Sequence, residues 1–176
     1  MACNTVTLNG INAKCDTSAG GIKRVMIIKK DDVTDISVDA TTGVVDNITL
    51  ASGKYFVQWL FRKNTGSYTT SLSADPAIGT QAVTTDLNLQ FTKAEATKRL
   101  EIQSAINAAA VVIIEDMYGQ YILLGKDNEV TVTAVNQQSG TSITDLNGYT
   151  LTFQDVSLEL PHFVDATIIP SLLTAV

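Results

Sequence analysis

The chain is poor in the residues that most enzyme and metal sites require. Its 176 residues include one histidine and two cysteines. His162 has no second histidine with which to build a multi-histidine metal site, and any catalytic triad would have to use it. Cys3 and Cys15 match no complete zinc pattern, and reduced structural thiols are favoured over a disulfide that would close only a short loop. We therefore expect no catalytic residue, no metal and no cofactor.

Positive charge is also scarce. Twelve Lys and Arg against 18 Asp and Glu give a net charge of −6, and charged residues make up only 17% of the chain. A protein with so few cations is poorly suited to gripping nucleic-acid phosphates, because it displaces few counterions. A channel lined with carboxylates would instead repel a duplex and let it slide. The composition predicts no specific nucleic-acid binding.

Long hydrophobic runs are missing as well. The longest, residues 108–114, has seven residues, whereas a membrane-spanning helix needs about 20. The first residues show neither a basic segment nor an apolar core, so we expect no signal peptide and no membrane partner. The length predicts a single domain over residues 1–176, with an irregular N-terminal arm at 1–20 and a C-terminal extension at 159–176.

Short strands dominate what the sequence does contain. Val111–Ile114 and Gln120–Leu124 flank a tight turn, and Gly148–Leu158 alternates apolar and polar residues. Its alternation changes phase, which predicts a bulge near Gln154. Lys54–Lys63 is rich in aromatic and β-branched residues and is predicted to be a core strand. The fold class predicted is mainly β (α+β), a β-sandwich or barrel with one flanking helix.

The flanking helix is predicted at about residues 92–108. Thr92 and Glu95 have the spacing of a capping box, in which each side chain caps the backbone of the other. The predicted apolar face consists of Ile102, Ala105, Ile106 and Ala109.

A turn at residues 64–66 is predicted to join the strand at 54–63 to Ser67–Ala74 in a hairpin. Asn64 and Gly66 both tolerate the positive φ that such turns use. We expect the long hairpin region near residues 56–89 to project from the body of the protein.

Two groups of residues could carry chemistry. The adjacent acids Asp31-Asp32 and Glu115-Asp116 would point to opposite faces of a strand or lie in a solvated turn, so they predict no catalytic pair. Trp59, with Tyr55 and Phe61 on the same face, is expected to belong to the core or an interface. A stacking platform for sugars or bases is the alternative.

The order of several short motifs resembles a set of tail structural proteins of phages that infect Bacteroidetes, including the short-tailed crAss-like phages. The resemblance spans roughly residues 15–165. Its motifs are Gly20-Gly21-Ile22-Lys23, a long hairpin, one helix, Tyr121-Ile122-Leu123-Leu124-Gly125, and Gly148-Tyr149-Thr150-Leu151-Thr152-Phe153.

The resemblance implies a tail-tube-like fold whose copies close into a ring around the channel for DNA ejection. It also implies a virion location in the tail hub or tube, after production and assembly in the host cytoplasm. The implied partners are further copies of the chain, in a six- or twelve-fold ring, and other tail or portal-proximal ring proteins. Genome DNA would pass through the lumen without specific binding.

Assembly would use strand edges and the long hairpin, since strands of adjacent copies can pair edge to edge. The residues predicted for the oligomer interface are Trp59, Phe61, Tyr68, Leu72, Ile78, Val83 and Leu87. A head–tail connector ring or a capsid-associated virion protein is an alternative assembly role. A β-sandwich carbohydrate-binding or adhesin module is the alternative from another functional class.

Overall fold

A computed structural model describes residues 20–75 and 77–173, in which eleven strands form two sheets. Most of the predicted N-terminal arm, with both cysteines, lies outside the described residues. The strands are β1 (Ile22–Lys29), β2 (Val33–Val38), β3 (Val45–Leu50), β4 (Val57–Trp59), β5 (Gly66–Asp75), β6 (Thr80–Thr92), β7 (Ala110–Asp116), β8 (Tyr121–Leu124), β9 (Thr131–Gln138), β10 (Gly148–Ser157) and β11 (His162–Val164). The helices are α1 (Ala96–Ile106), α2 (Ile169–Leu172) and a 3-10 turn (Lys30–Asp32).

The fold is a mainly β sandwich with a flanking helix, as the sequence predicted. One sheet has seven strands in the order β2-β3-β11-β8-β7-β1-β4, and the other has four in the order β5-β6-β10-β9. The four-stranded sheet is antiparallel throughout. It covers one face of the larger sheet, and Ile102 of α1 packs into the same core.

The central strand β7 explains why the larger sheet has two apolar faces. Val112 and Ile114 lie in the core between the sheets, whereas Val111 and Ile113 lie in a second core on the opposite face. Successive side chains of a strand point to opposite faces, so a strand buried on both sides is apolar throughout.

The C-terminal segment is part of the domain and not an appendage. β11 lies between β3 and β8, pairing in parallel with β3 and antiparallel with β8. Ile169 and Leu172 of α2 then pack into the second core. Val164, Ile169 and Leu172 of the predicted extension therefore help to cover the outer face of the seven-stranded sheet.

The predicted capping box does not form. Thr92 still pairs with Gly148 as the last residue of β6, and Lys93 then adopts a φ of 65°. The helix begins four residues later than predicted, with Glu95 as an N-cap that makes no side-chain capping bond. The Glu95 carboxylate instead pairs with Lys93 Nζ at 2.5 Å and Lys98 Nζ at 3.4 Å.

The predicted hairpin between residues 54–63 and 67–74 is also wrong. β4 pairs with β1 at the edge of the larger sheet, whereas β5 pairs with β6 in the other sheet. Asn64 does take a positive φ of 64° in the link between them. This turn takes the chain from the seven-stranded sheet to the four-stranded sheet. The long hairpin is formed instead by β5 and β6, and we call it the β5–β6 ribbon.

The bulge lies in a different strand from the one predicted. β10 pairs with β6 in unbroken register, and the shift occurs in its pairing with β9, between Thr152 and Phe153. The additional residue there is Thr133 of β9. Because β10 keeps one phase, Asp155 follows Phe153 into the interior and Val156 is exposed.

Candidate assembly surfaces

The four-stranded sheet has two open edges in the described part of the chain. β5 pairs with β6 over ten residue pairs, from Gly66–Leu89 to Asp75–Thr80, and with no other strand. At the opposite side, β9 pairs only with β10. Each outer edge therefore presents backbone N–H and C=O groups that a further strand could satisfy.

On the core-facing side of β5, two large apolar side chains are left uncovered by the residues that the structure describes. Tyr68 and Leu72 lie opposite Leu87 and Val83 on this side. Tyr68 is nevertheless 37% exposed and Leu72 is 61% exposed, whereas both of their partners on β6 are buried. β5 thus extends the sheet past the area that the seven-stranded sheet covers. Tyr68 and Leu72 form what we call the open strip.

The predicted interface residues divide into three groups. Tyr68, Leu72 and Ile78 are exposed, so their interface role stays a prediction. Trp59 and Phe61 are partly buried against the core between the sheets. Leu87 is buried in that core, and Val83 is also buried. Their side chains cannot reach a second copy while the fold is intact, and the prediction for these two positions is corrected.

The tip of the β5–β6 ribbon projects an apolar side chain. Asp75 Oδ1 accepts a hydrogen bond from the backbone N–H of Ala77 at 2.9 Å, and Gly79 has a φ of 69° that suits the turn. Ile78 between them is 72% exposed. The apolar side chain of Ile78 therefore projects from the end of the ribbon.

The outer face of the four-stranded sheet is polar and lacks cations. Thr152 donates to Asn88 Oδ1 at 2.8 Å, and Gln154 donates to Asp86 Oδ1 at 2.9 Å. The register places no Lys or Arg among the outward side chains of the four described strands. The outward side chains of the two central strands, β6 and β10, are Thr80, Ala82, Thr84, Asp86, Asn88, Gln90, Thr92, Thr150, Thr152, Gln154 and Val156. We call this surface the polar face.

The aromatic residues near residue 59 serve mainly in packing. Trp59 contacts Phe91 and Phe153 edge to face, with ring centroids 5.6 and 5.9 Å apart. Phe61 contacts Phe91 in the same way. The segment 54–63, which was predicted to be a core strand, contains only a three-residue edge strand. Tyr55, Val57 and Leu60 are exposed, and only Phe56 is fully buried. Phe56 packs on the face opposite Trp59.

Glu115 is a buried acid with two cationic partners. Its side chain is 3% exposed and accepts hydrogen bonds from Arg24 Nε and from Lys23 Nζ, the latter at 2.6 Å. Arg24 also donates to Gln58 Oε1 at 2.7 Å, which ties β7 and β1 to β4. Burial opposes ionisation of Glu115, but the bonds from Lys23 and Arg24 outweigh it and the pKa is lowered. This arrangement stabilises one end of the seven-stranded sheet.

Asp155 is a second buried acid, which the sequence did not reveal. It is 4% exposed, and its Oδ1 has no hydrogen-bond partner among the described residues. Burial raises the pKa of Asp155, opposed by the backbone N–H of Gly125 and the charge of Lys30. Lys30 in turn donates to the carbonyl oxygens of Gly125 and Lys126, both at 2.6 Å. Asp155 and Lys30 thus both form hydrogen bonds with the backbone of the turn that follows β8.

His162 joins three parts of the fold and has a structural role. Its Nδ1 lies 3.0 Å from the carbonyl oxygen of Gly43, so Nδ1 carries the proton that is donated. Nε2 lies 3.3 Å from Lys126 Nζ and 3.2 Å from Glu159 Oε2. The ring therefore connects β11 to the turn between β2 and β3 and to the turn after β8.

Neither a metal cluster nor a spanning helix is found within residues 20–75 and 77–173. No group of three or more His, Cys, Asp or Glu side chains there could hold a metal ion. None of the helices in the same ranges is long and apolar enough to cross a membrane. No protein-family model and no curated protein matches this sequence.

Proposed function

We propose that this protein is a virion structural subunit whose copies form a closed ring in a phage tail, as hub or tube, around the channel for DNA. The observation that supports the proposal most is the four-stranded sheet. Within residues 20–75 and 77–173 it has two open edges, an uncovered apolar strip beside one of them, and a face without cations. The motif resemblance supplies the tail location, and the sheet supplies a physical means of assembly.

The two edges are suited to pair with each other across copies. β5 has ten residues and β9 has eight, so either can add a long strand to the sheet of a neighbour. An edge that meets a different edge makes a head-to-tail contact, which generates a ring when the rotation closes. A closed ring leaves neither β5 nor β9 unpaired, and this removes the tendency of these two edges to aggregate.

The open strip gives the same contact an apolar component. Tyr68 and Leu72 already point toward the core side of the sheet, where a neighbouring β9 and its flanking residues would cover them. Burying such side chains stabilises a contact by about 1.5–3 kcal/mol for each residue that becomes fully buried. Ile78 at the ribbon tip is placed to contact a ring above or below.

The polar face is the surface we assign to the channel. Asn, Gln, Thr and Ser side chains there can be solvated without attracting phosphates, and Asp86 adds repulsion. A wall without Lys or Arg releases no counterions from DNA, so it gives the duplex no strong binding sites. The resulting ring would guide DNA without retaining it.

The test compares two lysine substitutions on adjacent residues of β5. Leu72→Lys places a charge on the open strip, whereas Ser71→Lys places it on the polar face. Multi-angle light scattering is expected to give ring-sized particles for the wild type and Ser71→Lys, and monomers for Leu72→Lys. Monomers in all three samples at high concentration, or rings in all three, would contradict the assembly proposed here.

A glycan array addresses the adhesin alternative, for which the exposed edge of Trp59 would have to bind sugars. The proposal predicts no binding above background. Gold labelling of the subunit in virions would distinguish a tail ring from a connector ring or a capsid-associated position.

A further inference from the structure

The backbone of β5 presents alternate residues to the open edge. Gln90 N–H donates to Thr65 O at 2.9 Å, so these two residues form a hydrogen-bonded pair just before β5 begins. Hydrogen-bonded and non-hydrogen-bonded pairs alternate along an antiparallel ladder. The N–H and C=O groups of Tyr68, Thr70 and Leu72 therefore point away from β6, toward the edge that no other described strand occupies.

The edge of β9 presents alternate residues in the same way. Lys93 N–H donates to Asn147 O at 2.6 Å, so Asn147 and every second residue of β10 after it bond to β6. The residues between them bond to β9. The register with β10 then leaves Gln137, Val135 and Val132 with backbone groups that point to the outer edge.

These outward-bonding residues have side chains on the core side of the sheet at both edges. Gln137, Val135 and Val132 lie opposite buried residues of β10, and Val135 is 40% exposed. Tyr68 and Leu72 combine outward backbone groups with core-facing side chains on β5. The match follows from the even number of strands, because each added strand changes the side of the sheet whose residues bond outward.

The directions of the two edge strands also suit each other. β5, β6, β10 and β9 are antiparallel in succession, so β9 runs opposite to β5. If the sheet continues around a ring from edge to edge, its strands run along the channel axis, and rotation about this axis leaves their direction unchanged. β9 of one copy is then antiparallel to β5 of the next. Directly opposite residues of such a pair lie on the same side of the sheet.

We propose that β5 pairs antiparallel with β9 of the neighbouring copy, with Thr70 directly opposite Val135 of that copy. Val135 then lies diagonally between Tyr68 and Leu72 on the core side, and it covers the open strip. The inference rests on the proposed ring and specifies the direction and register of its contact.

The open strip selects this register among those that keep the backbone phase. With Thr70 opposite Val135, Tyr68 lies opposite Gln137 and Leu72 lies opposite Val132, which pairs beyond the bulge as it does with β10. A shift of two residues in one direction places Tyr68 beyond the end of β9. The same shift in the other direction places Leu72 before its start.

Cross-linking tests the register in a background in which Cys3 and Cys15 are replaced by serine, so that only introduced thiols react. Tyr68→Cys with Gln137→Cys places two thiols on directly opposite residues of adjacent copies, whose Cβ atoms are about 5 Å apart. A thiol-specific cross-linker of that length is expected to give a ladder of covalent multimers. Thr69→Cys with Gln137→Cys is the matched control, with the thiols on opposite faces, and the ladder should be lost.

Light scattering of the same samples separates this inference from ring formation itself. Rings without a ladder, or equal ladders from both double variants, would overturn the register and leave the ring standing. Covalent dimers from Tyr68→Cys with Leu72→Cys would overturn it as well, because they require two β5 edges to pair about a two-fold axis. Monomers in every sample would contradict the proposed function, and this inference with it.

Discussion

Gln154 donates a hydrogen bond from Nε2 to Asp86 Oδ1 across 2.9 Å, between neighbouring strands of the polar face. Asp86 is the one acid among the outward side chains of β6 and β10, and this bond holds its carboxylate in a fixed position. In a ring, each copy would present the same fixed carboxylate to the channel. Asp86 therefore contributes a fixed negative charge to the surface that DNA would meet, in addition to Asp75 of β5.

Reversing that charge is expected to create DNA binding. Asp86→Lys would place a lysine from every copy on the channel wall, so rings of this variant should retain duplex DNA at low salt and lose it as salt rises. Filter binding or electrophoretic mobility measures the difference from wild type. Asp35→Lys makes the same change in net charge on exposed β2 and should retain no DNA. Equal retention by both variants would show that net charge alone matters.

Removing the charge of Glu115 is expected to destabilise the fold. Glu115→Gln keeps the shape but leaves the partly buried Arg24 without its anion, at a cost of about 2–4 kcal/mol in free energy of unfolding. The exposed Lys23 adds little. Urea denaturation measures the change, and Glu101→Gln on the exposed side of α1 should stay within about 0.5 kcal/mol of wild type.

Glu115 also predicts how stability changes in acid. Its folded pKa is lowered, so the stability it contributes is present above the unfolded pKa of a glutamate and is lost as pH falls through the folded pKa. Glu115→Gln should therefore lose less stability on acidification than wild type. Urea midpoints measured from neutral to acid pH test this, and parallel curves would exclude Glu115 as a source of the dependence.

For Asp155 we expect the opposite dependence of stability on pH. Its folded pKa is raised above the unfolded value, so the folded state binds the proton more tightly and this residue destabilises the fold as pH rises through that window. Asp155→Asn should be more stable than wild type at neutral pH, by about 1 kcal/mol. The gain should vanish in acid, where Asp155 is protonated. A loss of stability at neutral pH would indicate that the carboxylate is needed for the Lys30 and Gly125 turn.

Gly148 is expected to tolerate no side chain. A Cβ at this position would lie 1.9 Å from the carbonyl oxygen of Phe91, where β10 begins its pairing with β6. Gly148→Ala should cost about 3 kcal/mol, because the backbone itself would have to move. Thermal unfolding measures this against Gly20→Ala, which should change stability little because its Cβ would meet no atom of the described residues within 4 Å.

Local signals explain which elements could be predicted from the sequence. β7 and β8 flank a turn with glycine, and β10 alternates from Gly148 to Phe153, so the positions of these three strands are confirmed. The start of α1 could not be found in the same way, because β6 extends to Thr92 through pairing with β10. Long-range pairing overrode a local capping pattern there.

Whether a strand residue is buried or exposed depends on long-range contacts that no local pattern encodes. Val83 and Tyr68 both alternate as apolar strand residues, but only the extent of the opposing sheet decides that one is buried and the other exposed. Asp155 was missed because an acid in an apolar phase was interpreted as a bulge. The place of β11 between β3 and β8 likewise required knowledge of pairing between residues far apart in the chain.

Electron microscopy of the purified protein at high concentration tests the central claim most directly. The proposal predicts closed rings in which β5 of one copy lies against β9 of the next and the polar face lines the hole. Single particles of one subunit, with both edges of the four-stranded sheet facing solvent at every concentration, would contradict it.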